Sequence, residues 1–61
     1  MNRADKRTLV AAARLLEEWA RIEWDSNVDF VTKRIEDRAA LASYNANKRA
    51  AAKLRTIAAK E

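Results

Sequence analysis

The hydroxyl side chains of Thr8, Ser26, Thr32, Ser43, Tyr44 and Thr56 are the first residues to weigh as reactive groups. A hydroxyl attacks only when a positioned base takes its proton, and histidine is the commonest such base. The chain has no His and no Cys. None of the six hydroxyls falls in a strained strand-to-helix turn. The adjacent carboxylates Glu17/Glu18 and Glu36/Asp37 would point about 100° apart on a helix, so neither pair converges on a substrate. With no Gly, there is no loop to cradle a phosphate. A metal would lack thiolate and imidazole ligands. Glu23 lies in phase with an apolar arc, but a di-metal bundle would want Glu-x-x-His. Glu23 therefore reads as a rim residue that reaches solvent or pairs with a cation. These features predict no enzyme, no cofactor, no metal and no small-molecule substrate.

Recognition remains, and two sets of residues suit it. Lys48, Arg49, Lys53, Arg55 and Lys60 give the last quarter of the chain all of its excess charge. Residues 1–46 hold eight cations and eight anions, and residues 47–61 hold five and one. Such residues bind phosphate without reading sequence, which makes nucleic acid a candidate partner. The plainer reading is a solvated face with favourable charge near a helix C-terminus. The second set is Trp24, Phe30, Leu41, Tyr44, Leu54 and Ile57. Phe30, Leu41 and Tyr44 fall on one side of a helix, away from the stripe described below. A second apolar side implies a second packing surface, and Trp and Tyr are enriched at binding hot spots. Trp19 sits in the middle of an apolar arc and is expected in the core.

The elements that position these residues follow from periodicity. Asn2 and Asp5 make an Asn-x-x-Asp start signal. Leu9, Ala12, Leu16 and Trp19, widened by Leu15, Ala20 and Ile22, form one helical arc. The pairs Arg14–Glu18 and Glu17–Arg21 mark a solvated face. Asp25-Ser26-Asn27 is the expected turn, since all three side chains compete with helix for local backbone. Ser26 with Asp29 would cap the next helix, and Trp24 and Phe30 would close over the break. Val28, Val31, Ile35, Ala39, Ala42, Ala46, Ala50, Leu54 and Ile57 then recur at steps of three and four. This predicts a second helix over about 28–59, with 43–47 its weakest section, after a first helix over about 3–24.

The predicted fold is therefore all-α: a helical hairpin in one domain, residues 1–61, with a longer second helix. Beyond Arg49 that helix would overhang its partner. A 61-residue chain without Cys buries too little surface to be robust alone, so a homodimer or higher bundle is expected. The outline is that of hairpin dimers forming four-helix bundles, an architectural analogy that carries no function. The longest apolar run, Leu9 to Ala13, is too short for a bilayer. No signal pattern is present, which points to the cytoplasm and away from a membrane partner. The function read from these features is a non-enzymatic protein–protein interaction module, such as a small inhibitor, adaptor or assembly factor. The alternative is a nucleic-acid-binding regulator.

Overall fold

The structure, a computed structural model, describes residues 2–60. Helix α1 spans Arg3–Asn27 and helix α2 spans Arg38–Ala59. The start signal works as expected: the Asn2 side chain accepts a hydrogen bond from the Asp5 N–H at 2.9 Å. It satisfies one of the donors left open at a helix N-terminus.

The break does not fall at Asp25-Ser26-Asn27. Helix α1 runs through all three residues, and the connection is residues 28–37. Asp, Ser and Asn each cost only a few tenths of a kcal/mol to a helix. Asn27 offsets this locally: its side-chain amide donates to the Glu23 carbonyl at 2.9 Å and to the Glu23 carboxylate at 2.8 Å. Glu23 is thus half-buried at the seam's edge, with an amide rather than a Lys or Arg as its partner. The connection is where helix propensity drops. Val28, Val31, Thr32 and Ile35 are β-branched and stiff at χ1.

Within the connection, the Asp29 carboxylate accepts the N–H groups of Val31 at 2.7 Å and Thr32 at 2.9 Å. Its own carbonyl accepts from Lys33 at 2.8 Å, and its N–H donates to the Arg34 carbonyl at 2.9 Å. Lys33 takes a left-handed conformation, φ 63°, without being Gly. That costs about 1–2 kcal/mol. An isolated antiparallel bridge between Val28 and Ile35 closes the loop, and Ile35 is buried beneath it. Asp37, not Ser26, caps α2: its carboxylate accepts from the Ala40 N–H at 2.9 Å. Asp37→Ala should therefore destabilise the protein by about 1 kcal/mol, read as a lowered midpoint in urea.

The second helix is consequently the shorter one, 22 residues against 25. The two match in length, and no overhang forms. Ala58, the penultimate residue of α2, is buried against α1. Helix α2 is continuous through 43–47.

The seam between the helices follows Leu9, Ala13, Leu16, Ala20, Trp24 and Asn27 on α1. On α2 it follows Ala40, Tyr44, Asn47, Ala51, Leu54 and Ala58; all twelve residues are buried or half-buried. The steps of four and three are those of an antiparallel coiled coil. The expected α2 stripe is displaced by about one residue. Ala39, Ala42, Ala46 and Ile57 are exposed, and Val31 is in the loop. The buried apolar residues are Ala13, Ala20, Ile35, Ala40, Ala51 and Ala58. Five of these six are Ala, so the helices can approach closely but remove little apolar area from water. At about 25 cal/mol per Å² this is a thin core for a free-standing hairpin.

Candidate interaction surface

The hairpin has two unlike sides, and one ion pair shows how they are arranged. Arg55 on α2 donates from Nε to one Glu17 carboxylate oxygen at 2.8 Å and from Nη2 to the other at 2.7 Å. This two-point geometry locks the flank of α1 that carries Glu17 beside the flank of α2 that carries Arg55. At about 100° per residue, Arg14 and Arg21 share the Glu17 flank, and Lys48 shares that of Arg55. Trp24 and Tyr44 meet at the base of this side, with ring centroids 5.4 Å apart and planes tilted by 40°. Lys48 Nζ lies 5.3 Å from the Tyr44 ring centroid. A shallow groove of about 270 Å³ runs between Glu17, Ala20, Arg21, Trp24, Tyr44 and Lys48. It is smaller and more open than an ordinary ligand pocket.

The ion pair makes stability depend on pH. Hydrogen bonding to Arg55 holds the Glu17 carboxyl below the ordinary value of 4.5. The backbone N–H groups of Thr32 and Val31 likewise hold Asp29 below its ordinary 3.8. A lowered carboxyl pKa stabilises the fold above the unfolded-state value, and the gain is lost as pH falls through the folded-state value. Melting temperature should therefore hold steady from neutral pH to about pH 5 and fall below it. Glu17→Gln should make the acid limb shallower.

The opposite side is apolar. Leu15, Trp19 and Ile22 follow one another on α1 at steps of four and three, with relative exposures of 48%, 50% and 55%. They lie across the seam line from Glu17, with Ile22 at the outer edge. The α2 flank on the same side presents Ser43, Ala46, Ala50 and Ile57, the last at 37%. Trp19 is therefore not core: the seam runs through Leu16 and Ala20, leaving its indole half in solvent.

The residues expected to form an interaction surface are dispersed. Trp24 and Tyr44 are half-buried against each other inside the hairpin, and Leu54 is half-buried in the seam. Leu41 is on the charged flank of α2, while Ile57 is on the apolar one. Phe30 belongs to the loop rather than to α2, and at 86% exposure it does not close over the turn with Trp24. Lys33 Nζ lies 6.0 Å from its ring centroid. Leu15 and Ile22 were legible only as the margin of an arc whose centre was set one residue off.

The basic residues are divided too. Arg55 is engaged by Glu17 and Lys48 lies over Tyr44. Arg49, Lys53 and Lys60 lie on the outer side of α2, away from the seam. Folding nevertheless gathers charge at one end. The antiparallel hairpin sets the start of α1 beside the end of α2. Residues 2–18 and 49–60, its open half, hold eight cations and three anions; residues 19–48, its loop half, hold five and five.

No helix of the described residues is long and apolar enough to cross a membrane. Among those residues no cluster of acidic side chains is arranged to hold a metal ion. No family model, curated protein or solved structure with which the chain was compared matches it.

Proposed function

We propose that this protein is a non-enzymatic protein–protein interaction module that acts through the apolar side of its hairpin as a homo-oligomer. It would serve as a small inhibitor, adaptor or assembly factor. The observation that carries this reading is the pairing of an almost all-Ala core with a run of half-exposed large side chains at Leu15, Trp19 and Ile22. A chain able to bury those side chains internally would gain about 1.5–3 kcal/mol for each fully buried one. Here they face outward on one side, as in surfaces that bind another protein.

A second reading, nucleic-acid binding, is favoured by the eight cations of the open half. Against it, two of the five C-terminal cations already have partners within the hairpin. The Trp19→Glu variant tests the choice. It should weaken self-association by about 30-fold or more, measured by sedimentation, and leave helix content unchanged. Salt-steep binding of both wild type and variant to generic duplex DNA, with no self-association in either, would favour the second reading.

A further inference from the structure

We infer that the charged side of the hairpin is a docking surface for the phosphate backbone of a nucleic-acid duplex. This rests on the second reading above and moves its site from the C-terminal cations to one flank of α1. It does not depend on the apolar side.

Helix α1 sorts its charge by side. Its five cations are Arg3, Lys6, Arg7, Arg14 and Arg21. At about 100° per residue they all fall within one arc of about 100°, on the flank that carries Glu17. Leu15, Trp19 and Ile22 lie on the other flank. All five cations are exposed. The surface pairs expected of two of them, Arg14–Glu18 and Glu17–Arg21, are not made. Among the described residues the ion pairs are Arg55–Glu17 and Arg34–Glu36. Glu17, the carboxylate set among these cations, is therefore neutralised by Arg55. Glu18 lies at the outer edge of the arc, and Asp25 lies beyond Arg21 toward the loop. A shallow groove of about 360 Å³ opens between Arg3, Lys6, Arg7 and Arg14.

Shape and charge identify the occupant. From Arg3 to Arg21 the stripe runs ~27 Å at 1.5 Å per residue. A duplex presents one phosphate charge for each ~1.7 Å of its axis, so ~8 base pairs lie alongside. Arg7, Arg14 and Arg21 recur every seven residues, ~10.5 Å apart on one line. Guanidinium groups hold phosphate oxygens in two-point geometry. An acidic protein segment would have to repeat carboxylates along that whole line, whereas a duplex supplies regular charge through its covalent backbone. A lipid surface fits less well. A helix lying on lipid carries its cations beside its apolar face, so that both engage at once. Here the two are on opposite sides of the hairpin. A single strand needs aromatic platforms for its bases. Trp24 and Tyr44, at the end of the stripe, pack on each other instead.

Fluorescence anisotropy of a labelled duplex of about 16 base pairs, titrated with the full chain between about 50 and 200 mM salt, tests this. Five phosphate contacts predict that the logarithm of the binding constant falls with the logarithm of salt at a slope of about −4.5. Arg7→Glu with Arg14→Glu should make the slope shallower by about two and weaken binding about tenfold or more at the lower salt. Arg49→Glu with Lys53→Glu, on the outer side of α2, removes the same net charge and should leave the slope unchanged. Circular dichroism checks that both variants keep wild-type helix content. Arg7→Gln with Arg14→Gln repeats the measurement without new carboxylates and should also make the slope shallower by about two. Equal losses in the two Glu pairs would overturn the placement on α1 while leaving the second reading standing. A wild type with no salt-dependent duplex binding would overturn both. Binding to phosphatidylserine vesicles or to polyglutamate instead of the duplex, or tighter binding to a single strand, would overturn the duplex as occupant.

Discussion

Ala13→Leu should lower the melting temperature by roughly 5–20 °C, while Ala11→Leu, two residues away, should shift it by no more than about 4 °C. Ala13 has 0% exposure at the seam. Extra carbon atoms there must push α2 away or force strained rotamers, at about 1–3 kcal/mol. For a domain of this size 1 kcal/mol corresponds to about 4–8 °C. Ala11 is exposed on the far side of α1, where substitutions stay within about 0.5 kcal/mol and Leu is nearly as good a helix former as Ala. Thermal unfolding followed by circular dichroism at 222 nm makes the comparison. Equal midpoints for the two variants would mean that the seam does not pass through Ala13.

Trp19→Glu should weaken self-association by about 30-fold or more, the loss that follows from removing a hot-spot aromatic worth at least about 2 kcal/mol. The fold should survive, because Trp19 is half exposed and the seam closes through its neighbours Leu16 and Ala20. Introducing a carboxylate would also place an unpaired charge in the proposed association surface, which adds to the loss. Arg14→Gln on the charged side serves as the control and should change the dissociation constant by less than about threefold. Equilibrium sedimentation of the three proteins over the same concentration range measures both effects. Similar dissociation constants for all three would place the interface elsewhere.

Local signals in the sequence were read well where the backbone alone decides. Asn2 and Asp5 mark the start of α1, and the absence of Gly and Pro fits long helices, while the hairpin was expected from a turn at Asp25-Ser26-Asn27 that lies inside α1. The position of the break was not legible because it depends on contacts between residues distant from one another. Val28 pairs with Ile35, Asp29 holds two backbone N–H groups, and Lys33 accepts a left-handed conformation that no Gly advertises. The apolar residues of this loop also happen to fall at helical spacing. The stripe drawn from Val28 onward therefore carried a false phase into α2. Nothing in α2 corrected it, since nine of its 22 residues are Ala, found on every side. Only Tyr44, Asn47 and Leu54 distinguish the true seam, and Asn47 does not score as apolar.

The same displacement explains the misplaced site residues. Trp24 and Tyr44 read from the sequence as interaction candidates, yet their rings pack against each other within the hairpin, 5.4 Å between centroids. Trp19 sits mid-arc in the sequence pattern, but the seam through Leu16 and Ala20 is turned about one residue away and leaves it half exposed. The pairing of Arg55, a phosphate-contact candidate, with Glu17 is not legible in the sequence because the two are 38 residues apart in the chain.

Sedimentation equilibrium of the unmodified chain, from micromolar to several hundred micromolar, tests most directly whether the apolar side is an association surface. The expected result is a concentration-dependent rise in apparent mass from 7.0 kDa toward twice that value. A folded, cooperatively melting species that stays at 7.0 kDa over the whole range would contradict it.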